Sequence, residues 1–346
     1  MKKKIVSIFA VSMLLFGCSH HEKAVKTTKN ETNTETKPPV KEIDKEETVT
    51  AFAPLNGLPV ATVSEQRPVA VMVNNFHAAR PQSGLSSADV VYELLAEGDI
   101  TRFLAIFQSN IPEKIGPVRS ARDYYIDLAN GYHALFICHG NSPKAKEMMD
   151  AGVIDSINGL VYDGTLFKRD KTRKAPHNSY ILREGIEKGV VKKHYSYKEQ
   201  VTPLDFSHEA LKFDMSWEKK SEVFIKYSYN PDNNVTYKYN EANKQFQRIQ
   251  NGVVATDRLN GKQLQIKNIV VLEASTKVID NHGRRSVDLK SGGKGYILIE
   301  GMSKSIVWKN VNGRIIPFDS AGNEIELSPG QTWINFVPSL KSVTLK

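Results

Sequence analysis

Two arginines stand three residues apart in the stretch IGPVRSARDYY (115–125), and their surroundings pose a question of charge. Gly116-Pro117 forces a turn, Ser120 is a suitable helix N-cap, and Asp123 at the third helical position completes a capping box. On that reading Arg122 lies in the first helical turn and Arg119 just before the cap. A helix N-terminus behaves like roughly half a positive charge, so two cations there need a negative partner. Asp123 is one source. Glu93, Glu97 or Asp99, from the preceding segment, are a second. The third is an external anion, cradled by Arg119, Arg122 and the Arg102 of ITRF together with free backbone N–H groups. The internal and external readings overlap, because one arginine can be braced while another binds.

Other polar residues sit where elements end. Asn74 and Asn75 close an apolar run, the place where ligands bind in many α/β sheets. Asn141 lies in HGNS (139–142), whose amides precede a helix, and His177 lies in KAPHN (174–178), expected to precede another. Each has a plainer role as turn, cap or loop residue. If these ends converge, Asn74, Arg102, Arg119, Arg122, Asn141 and His177 line one polar cleft able to hold an anion or a partner.

Signatures of catalysis fail one by one. The chain has no G-x-S-x-G elbow, P-loop or G-x-G-x-x-G. VYDGTLF (161–167) carries the tail of an aspartyl-nucleophile motif, but Val161 stands where the nucleophile belongs. Cys138 and His139 are adjacent on a strand-like run and so point to opposite faces. His77, His133, His139 and His177 lack the spacing of a zinc motif. No catalytic residue, cofactor or metal is expected.

The elements that must position the cleft follow from patterning. RPVAVMVNN (67–75), DVVYELLAE (89–97), RFLAIFQS (102–109) and HALFICHG (133–140) read as strands, the middle two as a hairpin. SPKAKEMMDAG reads as a helix with Ser142 as N-cap, Pro143 at its first position and Gly152 as stop. A further helix is expected from about Ser179 to Lys188, with Gly189 as C-cap. After Leu211 the chain alternates in strand fashion, beginning with a hairpin around NPDNN (230–234). The expected fold class is therefore α+β: a mixed α/β N-terminal domain over 54–205, then a mostly antiparallel β domain over 215–346.

The N-terminus places the protein. MKKKIVSIFAVSMLLFG (1–17) has a basic start and an apolar run too short to span a bilayer, as in a secretory signal. LLFGC ends in Cys18 after a small residue, the pattern of a bacterial lipobox. Diacylglycerol on the thiol of Cys18, which becomes the new N-terminus on cleavage, supplies two acyl chains and would anchor the chain stably. Residues 18–53, rich in Lys, Glu and Thr, read as a disordered tether. Formal net charge is +9, three of those charges being Lys2, Lys3 and Lys4. That excess suits anionic lipid or wall polymer, and the compartment disfavours nucleic acid. Cys138 remains as the one other cysteine, so the mature chain has no intrachain disulfide.

RPVAVMVNN, RPQSGLSSADVVYELLAEGDITRF, IGPVRSARDYY, HGNS and PGQTWINFVP together resemble the YerB-like lipoproteins over roughly residues 55–340. That resemblance implies a membrane-anchored extracytoplasmic protein with a two-part domain of unknown function, and it supplies no catalytic residues. The expected role is non-catalytic binding or scaffolding at the cell envelope, outside the cytoplasmic membrane. The partner would be a cell-wall synthesis protein or an anionic wall polymer. A wall hydrolase or transferase using the Arg/Asp/His cluster, and a solute-binding lipoprotein for a small anion, are the alternatives.

Overall fold

A continuously apolar strand has no side to show to water, so it must be covered on both faces. β1 (Val69–Asn74), β2 (Val90–Glu97) and β3 (Ile100–Phe107) obey this rule, being buried along nearly their whole length. These come from a computed structural model that describes residues 51–346. The signal segment, Cys18 and nearly all of the expected tether lie outside the described residues. Pairing begins earlier than expected, since Ala51–Phe52 already pair with Pro59–Val60.

The chain continues through α1 (Asp123–Asn130), β4 (Leu135–Cys138), α2 (Pro143–Asp150), β5 (Ser156–Asn158) and the single turn α3 (Gly159–Tyr162). Then come β6 (Phe167–Arg169), β7 (Ser179–Leu182) and α4 (Arg183–Lys193). Ser142 caps α2 as expected, its side chain accepting from the Ala145 N–H. Two expectations need correction. Ser120 does not cap α1: the helix starts at Asp123, and Arg122 occupies the cap position without a side-chain bond. The backbone of Ala121 is instead engaged on both sides, donating to Gly140 O at 2.9 Å and accepting from Ser142 N at 3.1 Å. Strand-like pairing has outcompeted the capping box. Likewise 179–182 is strand β7, paired with β6, and His177 precedes that strand, not a helix. Gly189 stays inside α4, where a Cβ would lie 2.3 Å from Ile157, and the C-cap is His194 in the left-handed region.

The second half is built from β8 (Glu222–Ile225), β9 (Val235–Asn240), β10 (Gln245–Gln250), β11 (Ile266–Glu273), β12 (Gly293–Ile299), β13 (Met302–Val311), β14 (Arg314–Phe318), β15 (Gln331–Val337) and β16 (Val343–Leu345). The hairpin around NPDNN is β8–β9, antiparallel. All α-helices among the described residues precede His194, so the fold is largely β with a mixed first half.

One long sheet runs through both halves in the order β16-β8-β9-β10-β11-β15-β2-β3-β1-β4-β5, with β12 to β14 joined beside β11. β15 is the junction. It lies parallel to β11 on one side and parallel to β2 on the other, an exception to the antiparallel pattern expected of this region. Alternate residues feed two apolar layers. Tyr92 and Leu104 share one with Phe336 and Trp308, while Val91 and Phe103 share the other with Trp333 and Val271. Both layers thus draw on residues before 200 and after 220, and the described residues form one compact unit.

A buried ion pair crosses the same junction. Glu93 of β2 and Arg248 of β10 are 0% and 1% exposed, with Nη1 2.8 Å from Oε2. Asn75 Nδ2 (3.1 Å) and Thr101 Oγ1 (2.8 Å from Asn75, 2.7 Å from Glu93) complete the acid's shell at Oε1. The guanidinium is enclosed by Phe103, Tyr237 and Trp333, its carbon 4.7 Å from the Trp333 ring centre. Removing one partner strands the other charge, so Arg248→Met is expected to cost ~3–5 kcal/mol. Glu93→Gln together with Arg248→Met should cost less than Arg248→Met. Urea unfolding of the two variants checks both statements.

Candidate functional site

β1 and β4 run parallel, paired from Val69 to Val71 with Leu135 to Ile137, and then diverge. Segment 117–121 wedges into the opening. On one side Asn74 N donates to Pro117 O (2.9 Å) and Arg119 N to Met72 O (2.9 Å); on the other His139 N donates to Arg119 O (3.0 Å). Carboxyl ends of parallel strands that part in this way are where open α/β sheets bind ligands. The wedge needs Gly140, whose φ is +98° and whose Cβ would sit 2.6 Å from Ser120 Oγ.

The three arginines divide. Arg102 donates to Ser120 O at 2.7 Å and, with Arg122, pairs to the carboxylate of Glu97. Both are buried. Arg119 has neither an ion pair nor a side-chain hydrogen bond among the described residues, although it is half-buried. Burial, with the charge of Arg102 adding to it, holds its pKa down to about 10, so it stays cationic at neutral pH. Arg173 comes to the same region, donating only to backbone carbonyls, with Pro81 O at 2.7 Å. The acidic residues of the preceding segment, expected as internal partners, are all paired with cations: Glu93 with Arg248, Glu97 with Arg102 and Arg122, and Asp99 with Arg285 at 3.7 Å.

Two histidines flank Arg119. Asn74 Oδ1 accepts from Phe76 N (2.9 Å), which orients the amide so that Nδ2 donates to His177 Nδ1 at 2.9 Å. Nδ1 is therefore the unprotonated nitrogen, and the ring stacks on Phe76. His139 Nε2 lies 3.2 Å from Arg169 Nη2, which can only donate, so Nδ1 carries the proton toward Ser179 Oγ at 2.7 Å. Ser179 is buried, so this pair braces the strand ends without exposing a nucleophile. Both rings titrate below the ordinary histidine value, through burial first and then through Arg169 for His139 and Arg119 for His177.

Asn141 stands beside the wedge, bridged to it through Ala121. Its Oδ1 accepts from Asn158 Nδ2 at 2.9 Å, and Asn158 Oδ1 in turn accepts from Gly140 N at 3.1 Å. Of the six residues singled out from the sequence, Asn74, Arg119 and His177 gather at the strand ends. Arg102 and Arg122 lie beneath them as braces, and Asn141 locks the adjoining turn. Sequence reading gives no cleft role to His139, Asn158, Arg169 or Ser179. Their contacts span up to 40 residues, and no local spacing signals them. Cys138 is buried, its thiol pushed up to about 12 by burial.

The division of labour is measurable. Arg102→Ala leaves Glu97 with one partner fewer and should cost ~3 kcal/mol, whereas Arg119→Ala should stay within ~0.5 kcal/mol of the parent. Chemical unfolding of each variant distinguishes the two. An unfolded imidazole titrates near ~6.5, above both folded histidines. Their contribution to stability is therefore present above that pH and lost as pH falls through it toward the lower folded values. Melting temperature should drop between pH 7 and pH 5, and His177→Gln should reduce that drop.

Comparison with known proteins shows the family. Residues 55–196 match the model described as "Protein of unknown function (DUF3048) N-terminal domain", and residues 223–334 match its C-terminal counterpart. Over 295 residues the chain is 46% identical to "Putative lipoprotein YerB" of Bacillus subtilis (strain 168), covering 85% of this chain and 88% of that protein. A crystal structure of YerB from Bacillus subtilis superposes with a TM-score of 0.80 at 46% identity, covering 86% of this chain and 99% of that one. A hydrophobic layer shared across residues 55–196 and 223–334 and a sequence matching both parts lead to one conclusion: the chain is a member of the DUF3048 family, to which YerB is its relative.

Proposed function

We propose that this protein is a lipid-anchored extracytoplasmic binding protein whose cleft at Arg119 holds an anionic group of a cell-wall polymer. The observation that carries the reading is Arg119 itself: a half-buried guanidinium, without an acidic partner among the described residues, at the parted ends of parallel strands. A buried charge without a counter-charge is costly, and an incoming phosphate or carboxylate removes that cost. Neutral His139 and His177 add polar ring nitrogens around it, and Arg173 adds a second cation without an ion pair. The lipobox at Cys18 and the lipoprotein name borne by the Bacillus relative support anchoring at the outer face of the membrane. No helix among the described residues is long and apolar enough to cross a membrane.

Scaffolding of wall-synthesis proteins would bring the polymer to its enzymes, and the cleft is the polymer-binding part of that role. The test is titration of poly(glycerol phosphate) into the mature protein by calorimetry. Arg119→Ala should weaken binding about tenfold while the fold stays intact, the loss of one charge-assisted contact. Lowering the pH from 7 to 5.5 should strengthen binding as both rings gain charge, and added salt should weaken it. Equal affinity for parent and Arg119→Ala would overturn the proposal. Retention of the Cys18→Ser variant in the membrane fraction would overturn the anchoring.

A further inference from the structure

A cavity lies against the loop that follows Asn75, lined by His77, Arg80, Pro81 and Gln82. It has a volume of about 270 Å³, and its walls join the first half to the second: Leu85 and Phe103 face Val254, Ala255, Leu264 and Trp333. Its position is pinned. Asp257, fully buried, accepts from Gly84 N at 2.9 Å and from Ser86 N and Oγ at 2.8 Å each, while Arg258 N donates to Gln82 O at 2.7 Å. Bonds between its two walls thus fix the position of the cavity.

The polar groups in this apolar chamber are donors in excess. Arg248 and Gln250 line it, both buried, and Arg248 Nη2 and Gln250 Nε2 have no hydrogen-bond acceptor. Arg80 joins them, spending Nε and Nη2 on the Asn75 carbonyl at 3.1 and 2.7 Å. Glu93 neutralises Arg248 from behind, and Asp232 is engaged by Asn251 Nδ2 at 2.7 Å. His77, also in the lining, packs at a tilt against the Phe76 ring, their centres 4.0 Å apart. Buried donors left without acceptors are rare, because each forfeits the bond it would have made to water.

We infer that this chamber is a binding site for a small amphipathic carboxylate, its apolar body against Phe103, Leu264 and Trp333 and its head accepting from Arg80, Arg248 and Gln250. A carboxylate supplies the acceptor lone pairs that these donors lack, and an apolar chain replaces water against the aromatic wall. The site is separate from the Arg119 cleft, and its failure would leave the polymer-binding proposal standing.

The probe is octanoate, titrated into the mature full-length protein while tryptophan fluorescence is followed, since Trp333 lines the chamber. Octanoate should change the emission saturably, and octylamine should not. Arg80→Gln should weaken octanoate about tenfold, an ion-assisted contact. Leu264→Phe, and separately Ala255→Phe at the partly exposed rim, should block it by filling the space; two filling variants guard against one that misfolds. No saturable response to octanoate at millimolar concentration would overturn the assignment. So would equal binding of octylamine, or undiminished binding in a folded filling variant.

Discussion

The fold turns on one buried ion pair. Glu93 enters from the first half of the chain and Arg248 from the second, and both are excluded from water. Each charge would be intolerable without the other, so the two halves must dock for either to be buried. Asn75, Thr101, Tyr237 and Asn335 extend the pair into a network, with Tyr237 donating to Asn335 Oδ1 at 2.9 Å. Apolar packing supplies the driving force across the junction, but it is indifferent to small changes of register. The network is not, because a slip of one residue would turn Glu93 to the other face of the sheet.

That junction also explains where the Arg119 site and the apolar chamber lie. β1 carries Asn74 and Asn75 at its end, and their side chains part company. Asn74 turns to His177 and the Arg119 cleft; Asn75 turns to Glu93 and the chamber beneath Arg80. The loop from Phe76 to Gln82 is a shared wall, bonded to residues on both sides: Gln82 Nε2 to Asn74 O at 2.9 Å, and Gln82 O to Arg258 N. A rigid partition of this kind keeps a cationic cleft and an apolar chamber apart within a few residues of chain.

The electrostatics of the cleft follow from what burial does to like charges. Three arginines within one region repel, and Glu97 can satisfy two of them only because a carboxylate has two oxygens. The third is left over. Burial, and after it the charges of Arg169 and Arg119, hold the neighbouring histidines below the ordinary value, so at neutral pH the charge of the site rests on Arg119, with Arg173 beside it.

The sequence by itself determined the apolar strands, the hairpins, the cap at Ser142 and the concentration of helices before residue 200, because these depend on neighbours a few residues apart. The family motifs were legible for the same reason. Tertiary structure decided the rest. Ser120 lost its capping role to a backbone partner 20 residues on, and 179–182 became a strand because β6 was there to pair with it. Which arginine stayed unpaired was settled by Glu97 across a hairpin, and Arg248 found Glu93 from more than 150 residues away. Local propensities are worth tenths of a kilocalorie per residue, roughly, whereas a stranded buried charge costs several; where the two conflict, the long-range contact wins.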